Sequence, residues 1–188
     1  MKSEPLSLIA SFIAMAVIVI SYFVKKKEHY LLFQSLGLAF LIVSYFFSLQ
    51  FFAMIGVGLG LLRAITFFIY EKNGKNAPIG WSFAFSILTI ISYFIINFGI
   101  LKTAQPLDLL CLAGLILYAF IFRIRNLKIV RFTMLIPTIL TFLFNLLTHA
   151  PIFATISYAF ELIANIISIF ISIFNYRAFI KDKMNSEE

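Results

Sequence analysis

The chain has 188 residues, of which 62% are hydrophobic and 12% charged, with a formal net charge of +7 and a mean hydropathy of +1.03. Soluble domains carry about 25% charged residues, so this composition excludes a water-soluble protein and predicts one integral membrane domain whose main partner is the lipid bilayer. The excess of Lys and Arg lies in short gaps between apolar stretches, which argues against nucleic acid as a partner.

The apolar stretches predict seven transmembrane helices, because about 20 apolar residues cross roughly 30 Å of hydrocarbon. The first stretch ends in three lysines without a small-residue cleavage site, so we expect it to remain as a helix and not to be removed as an export signal. Two longer stretches must fold back, one near Gln50 and one at the polar break that contains His149 and Pro151. The predicted spans are residues 6–24, 30–49, 52–70, 79–100, 107–122, 130–148 and 152–175.

The cations alternate between the gaps. Only Lys2 and Lys102 fall in one set of gaps, and Arg63 is embedded in the third span. Loops rich in Lys and Arg resist translocation, which places the amino terminus outside and a tail of residues 176–188 in the cytoplasm. The other set of gaps holds twelve of the fifteen cations: Lys25, Lys26, Lys27, Lys72, Lys75, Arg123, Arg125, Lys128, Arg131, Arg177, Lys181 and Lys183.

The layout of the spans predicts an internal repeat. Spans 1 to 3 and spans 5 to 7 each have a basic loop after the first helix, a short turn after the second and basic residues after the third. Three helices reverse the direction of the chain, so two copies lie parallel only if one extra crossing joins them. We therefore predict an all-α fold of type 3+1+3, with repeats at 6–70 and 107–175 and a linker helix at 79–100.

Short motifs carry a family resemblance. The Gly60-x-x-Arg63 segment, the Glu161-x-x-x-Asn165-Ile-Ile segment and Asn175-Tyr-Arg177, together with the size and seven spans, resemble the bacterial inner-membrane YgjV family. The repeat architecture is similar to that of the SWEET and PQ-loop transporters and of the nicotinamide riboside carriers. This resemblance implies a multi-pass protein of the bacterial inner membrane.

The similarity to these carriers also suggests which residues would line a central binding site. In them an asparagine from the third helix of each repeat faces the central cavity, and Asn165 matches that role, whereas Arg63 replaces the asparagine of the first half. This departure weakens the case for a sugar as the solute. The PQ dipeptide is absent, and the one Gln-Pro is Gln105-Pro106, in an outer loop.

Arg63 and Glu161 are the two ionisable residues placed deepest in the predicted membrane. Counting 1.5 Å per residue from the outer turns puts Arg63 about 20 Å and Glu161 about 18 Å down. Each must face the bundle interior and find a partner or water. We expect them to face each other, with Asn165 one turn from Glu161 on the same helix face.

Weaker indications come from four further positions. Gly60 could allow close packing or local unwinding beside Arg63, and Pro137 should kink span 6 and act in gating. Asn145 is a second amide candidate for the cavity. Tyr118 is expected in an interfacial aromatic belt.

Enzyme chemistry is poorly supported. His149 and Asp108 are not spaced as a metal site, Cys111 is the single cysteine, and no phosphate loop or catalytic triad is present, so we expect no metal, no cofactor and no catalysis. Two functions stay open: a secondary carrier or facilitator for a small anionic or zwitterionic solute, or a structural or partner-binding membrane protein in which an Arg63–Glu161 ion pair only holds the repeats together. A homo-oligomer is compatible with either.

Overall fold

The computed structural model describes residues 4–47, 51–100, 105–148 and 152–186, and every regular element in these ranges is helical. Residues Lys2, Gln50, Lys102, His149 and Pro151, which entered the sequence predictions, lie outside this part of the chain. The helices are α1 Glu4–Ser21, α2 Lys27–Phe47, α3 Phe51–Lys72, α4 Ile79–Phe94 with a π-helical extension Ile95–Ile100, α5 Asp108–Ile121, α6 Leu127–Leu147 and α7 Ile152–Ser186.

The predicted order of seven helices is confirmed for the described residues. Five of them, α2, α3, α4 with its extension, α6 and α7, are long and apolar enough to cross a membrane, whereas the apolar parts of α1 and α5 are shorter. The 14 residues of α5 rise only about 21 Å at 1.5 Å per residue. The chain is therefore an all-helical protein with several helices able to span a bilayer.

Helix α7 is longer than its predicted span. It continues to Ser186, a total of 35 residues, where the sequence predicted a span that ends at residue 175. No glycine or proline follows Pro151, so nothing in the sequence stops the helix where the apolar stretch ends. The predicted tail thus continues as helix to residue 186.

The end of α4 also differs from expectation. The predicted span 79–100 is helical throughout, but its last six residues, Ile95–Ile100, form a π-helix. Such segments are rare and are frequent at functional sites. This one places Asn97 beside a cavity described below.

Helix contacts follow the order of the chain. The main contacts join each helix to the next, and α7 packs against α1, so the pairwise contacts form a closed ring. Three loops, at 22–26, 73–78 and 122–126, lie at one end of this ring, because hydrogen bonds and an ion pair connect them and the adjoining helix ends. We call this end, which carries most of the described Lys and Arg residues, the basic end.

The surface of α6 has the pattern expected for a protein in lipid. Its exposed stripe is apolar, with residues three and four apart, while the opposite face buries Thr138, Thr141 and Asn145. Polar groups on the inside and apolar groups on the outside suit a hydrocarbon environment, where helices gain from interior polar contacts. The exposed stripe consists of Ile129, Phe132, Ile136, Ile139, Leu143 and Leu146.

A layer of aromatic side chains closes the interior near the basic end. Tyr22, Tyr30, Phe67 and Phe122 are at most 2% exposed, and we call them the aromatic floor. The ring centroids of Tyr22 and Tyr30 are 5.7 Å apart, and those of Tyr30 and Phe122 are 6.2 Å apart, both edge to face. This geometry is favoured for aromatic pairs.

Close packing of α1 on α2 requires a glycine. A Cβ added at Gly37 would lie 2.4 Å from Ile18 Cγ1 and 3.3 Å from the carbonyl oxygen of Ala14. We expect Gly37→Ala to lower the free energy of unfolding by about 1 to 3 kcal/mol through overpacking, measured by thermal or denaturant unfolding in detergent micelles. Gly58→Ala is the control, because a Cβ there meets nothing within 4 Å; equal stability of the two variants would contradict the described packing.

Candidate functional site

The ring of helices encloses a cavity of about 290 Å³. Five helices, α1, α2, α3, α5 and α7, contribute to its wall. The cavity extends from Ser7 and Leu8, in the first turn of α1, to the level of Arg63 and Glu161. Its other polar lining residues are Ser11, Gln34, Ser44, Tyr45, Tyr118, Ser157 and Tyr158.

Arg63 reaches this cavity from α3 and is 6% exposed. Its Nη1 donates a 2.9 Å hydrogen bond to the carbonyl oxygen of Leu115 in α5. The guanidinium carbon lies 5.4 Å from the ring centroid of Tyr118 and 5.3 Å from that of Phe122. Two aromatic faces and one carbonyl thus stabilise the cation. Nε is buried without a partner, so the guanidinium retains hydrogen-bonding capacity.

Glu161 enters the same cavity from α7 and is 8% exposed. Its Oε1 accepts a 2.6 Å hydrogen bond from the hydroxyl of Tyr22 in α1. This is a short, charge-assisted contact if the carboxyl is ionised. Within the described residues Tyr22 is the hydrogen-bond partner found for this carboxylate, so Oε2 is available to another group.

The two charges share a cavity but do not form the predicted ion pair. Among the described residues the salt bridge is Lys27–Glu71, at 2.9 Å. Arg63 and Glu161 instead bond to groups on α5 and α1, so the charges lie in one cavity without neutralising each other by direct contact. A structural function that rests on a direct Arg63–Glu161 ion pair therefore lacks the contact it requires.

Neither of the two amide candidates, Asn165 and Asn145, lines the cavity, and their side chains differ in hydrogen bonding. Asn165 is one turn beyond Glu161, as predicted, but it is fully buried and does not line the cavity, and both of its amide atoms lack hydrogen-bond partners. The Nδ2 atom of Asn145 donates to the carbonyl oxygen of Thr141 in its own helix, at 2.8 Å. Asn145 does not line the cavity either.

The two gating candidates differ in position, because one lines the cavity and the other does not. Gly60 lines the cavity, and a Cβ there would lie 3.8 Å from Arg63 Nη2, an ordinary contact distance. Pro137 is buried inside α6, which continues as one helix through it, and does not line the cavity. Its carbonyl oxygen accepts a 2.8 Å hydrogen bond from Thr141.

Sequence reasoning missed the immediate partners of both charges. Tyr118 was expected in an interfacial belt, but it is 8% exposed and packs against Arg63. Tyr22 was not singled out, although a hydroxyl-bearing ring close to the end of a span is a potential donor to a buried carboxylate. No sequence signal indicates the Leu115 carbonyl, since the accepting group belongs to the backbone.

A second cavity, of about 200 Å³, lies mainly between α3, α4 with its π-helical extension, and α5. It shares Gly56, Gly60, Arg63, Cys111 and Leu115 with the first cavity. It is also lined by Asn97, from the predicted linker helix, and by Asp108, which was not expected to take part in a site. Asp108 accepts a 2.9 Å hydrogen bond from the backbone of Gln105. In the described part of the chain, no three metal-ligating side chains group together.

The Tyr22–Glu161 contact predicts energetic coupling. Tyr22→Phe removes the donor, and we expect it to lower the free energy of unfolding by about 1 to 3 kcal/mol, because a buried acceptor loses its partner. In a Glu161→Gln background the same change should cost less. The measurement is a double-mutant cycle of unfolding in detergent.

The control is Tyr70→Phe, since that hydroxyl accepts a hydrogen bond from Trp81 at an exposed position. Its effect should stay within about 0.5 kcal/mol. Additive effects of Tyr22→Phe and Glu161→Gln would show that the hydroxyl and the carboxylate do not interact.

A family model described as bacterial inner membrane protein, Imp-YgjV, matches residues 6–175. The chain belongs to this family, which confirms the resemblance drawn from its sequence motifs. Together with the apolar helices, this makes it a multi-pass protein of the bacterial inner membrane. Comparison with curated proteins and with solved structures finds no match.

Proposed function

We propose that this inner membrane protein is a secondary carrier or facilitator for a small anionic or zwitterionic solute. The observation that supports it is the shared cavity, in which Arg63 and Glu161 bond to different helices and leave groups of opposite charge available. A solute carboxylate or phosphate would accept hydrogen bonds from the guanidinium. An ammonium group on the same solute would approach Oε2 of Glu161.

The cost of burying charge supports this reading. An ionisable side chain in the hydrocarbon region costs a few kcal/mol on insertion scales and is seldom kept without a partner or a role. A direct salt bridge would lower that cost, yet the two groups bond elsewhere. A bound solute would supply the missing compensation and would displace water from the cavity.

The proposed transport cycle uses the predicted repeat. Helices α1 to α3 and α5 to α7 would form two parallel units joined by α4, which rock against each other about the cavity. The Arg63–Leu115 and Tyr22–Glu161 hydrogen bonds both connect the first unit to the second. The solute would therefore bind between the units, where their relative movement changes its exposure.

The same two contacts favour one alternative, a structural or partner-binding membrane protein. In that case the hydrogen bonds only fix the two halves of the ring to each other, and the cavity has no solute. This alternative predicts that variants of Arg63 lose stability but that no solute stabilises the native protein.

Solute flux tests the carrier. Purified protein in liposomes should take up at least one member of a panel of amino acids, dicarboxylates and small phosphate esters. Arg63→Ala should reduce the uptake rate at least about tenfold, because one lost charge-assisted contact is worth about 1.5 to 3 kcal/mol. Arg63→Lys should retain part of it, since the charge remains but the planar fork is lost.

The control variant is Lys26→Ala, which removes an exposed cation of the α1–α2 loop. Its uptake should equal that of the unmodified protein. Wild-type uptake by a folded Arg63→Ala protein, or no uptake and no thermal stabilisation by any solute of the panel, would contradict the carrier.

Orientation is a separate prediction from the asymmetry of the cations. A fluorescent protein fused after Glu188 should fluoresce in the cytoplasm, and alkaline phosphatase fused at the same position should be inactive. Phosphatase fused after Ile100 should be active, because that end of α4 would face outward. Active phosphatase at the carboxyl terminus would reverse the assignment.

A further inference from the structure

The cavity does not continue to the basic end. Its innermost lining residues include Gln34, Arg63, Phe122 and Glu161, and beyond them lie the buried rings of the aromatic floor. Phe122 belongs both to the cavity wall and to the floor. The floor therefore separates the two candidate binding charges from the loops at the basic end.

Beneath the floor, four polar contacts hold the loops and helix ends together. Lys27 pairs with Glu71 at 2.9 Å, which joins the start of α2 to the end of α3. Arg125 Nη2 donates to the carbonyl oxygen of Gly74 at 2.7 Å, and Arg123 Nε donates to that of Ala77 at 3.1 Å. Arg131 in α6 donates to the carbonyl oxygen of Val24, in the loop before α2.

Three of these contacts join segments that are far apart in the chain, whereas contacts at the opposite end of the cavity join neighbouring helices. The contacts of Arg123, Arg125 and Arg131 run from the α5–α6 loop and from α6 to segments that precede α4. Among the residues described at the opposite end, Ser7 and Ser11 bond to Ser44, which joins the neighbouring helices α1 and α2. The three arginine contacts thus link the first half of the ring to the second, whereas the Lys27–Glu71 pair joins α2 to α3 within the first half.

Buried polar atoms near the floor lack partners in this arrangement. The hydroxyl of Tyr30, both amide atoms of Asn165 and Nε of Arg131 are buried and make no hydrogen bond. Such groups are unfavourable unless another state or a ligand satisfies them. If the floor parted, water or solute would reach them, which gives a second arrangement a source of stabilisation.

We propose that the aromatic floor and the four contacts beneath it form an inner gate, closed in this structure, whose opening connects the cavity to the basic end. The inference rests on the proposed carrier function. Tyr30 and Asn165 would then belong to the inner half of the solute path and meet the solute after the gate opens. The three arginine contacts hold the two halves together beneath the floor, and the Lys27–Glu71 pair holds together the ends of α2 and α3, the helices that carry Tyr30 and Phe67 of the floor.

Thiol labelling in liposomes tests the gate without any solute. Cys111, the single cysteine of the chain, lines the cavity and reports access from the end opposite the basic end. Ser168→Cys in a Cys111→Ser background reports on the inner side, because Ser168 is 2% exposed and lies seven residues beyond Glu161. The reagent is a membrane-impermeant maleimide added from one side at a time.

Glu71→Gln breaks the ion pair and should shift the population toward the open gate. We expect labelling of the Ser168→Cys reporter from the basic side to rise at least about fivefold, the lower range of typical coupling between two states. Labelling of Cys111 from the other side should fall in the same variant. Exchange of the two charges, Lys27→Glu with Glu71→Lys, should restore the original labelling.

The matched control is Glu28→Gln, which neutralises a neighbouring carboxylate that is not part of the described ion pair. Should Glu71→Gln fail to fold, Arg125→Gln provides the same comparison, because it removes a contact made by an exposed loop residue. Unchanged labelling of the inner reporter in the folded variants would overturn the gate.

The outcome separates the gate from the carrier function. Solute uptake by the unmodified protein with unchanged labelling in Glu71→Gln would retain the carrier and remove the gate. Altered labelling without uptake of any solute would remove the carrier and leave a two-state switch at the basic end.

Discussion

Two opposite charges held in one buried cavity, each bonded to something other than its counterpart, are the constraint on which this structure depends. A buried ion is tolerated only where hydrogen bonds or aromatic faces replace water. Arg63 obtains these from the Leu115 carbonyl and from two rings, and Glu161 obtains them from Tyr22. Because these six groups lie on α1, α3, α5 and α7 or just beyond, the contacts that satisfy the two charges also fix how the halves of the ring pack against each other.

The cavity and the basic end are therefore parts of one arrangement. Tyr22 bonds to Glu161 and at the same time packs against Tyr30 in the floor. Phe122 covers the guanidinium of Arg63 and also packs against Tyr30. A change in how either charge is bound acts on a ring that closes the interior. In the proposed carrier, this connection would let a bound solute act directly on the floor.

The order of the helices and the burial of both charges could be predicted from the sequence, because apolar length and the cost of a charge in lipid are local properties. The hydrogen-bond partners of the two charges could not be predicted. Every residue has a backbone carbonyl, so the sequence does not single out that of Leu115, and Tyr22 contacts Glu161 only after α1 packs on α7. Asn145 shows why an asparagine within a span does not by itself predict a cavity residue. Its side chain bonds to the carbonyl oxygen of Thr141, four positions earlier in the same helix. The π-helix at Ile95–Ile100 contains no proline that would mark an irregular helix. Helix α7 continues past its apolar part, so apolar length did not predict where it ends.

The way α4 is attached has a mechanical consequence. Ser82 donates a 2.8 Å hydrogen bond to the carbonyl oxygen of Ala119, and α4 packs more extensively on α5 than on α3. In the proposed carrier, α4 would therefore move with the helices that follow it, as a body of four helices against a body of three. The joint between them is the segment 73–78, where Gly74 has a φ of 65° that other residues rarely adopt. Torsion at this short tether, and not bending within any membrane helix, would absorb displacement of one body against the other.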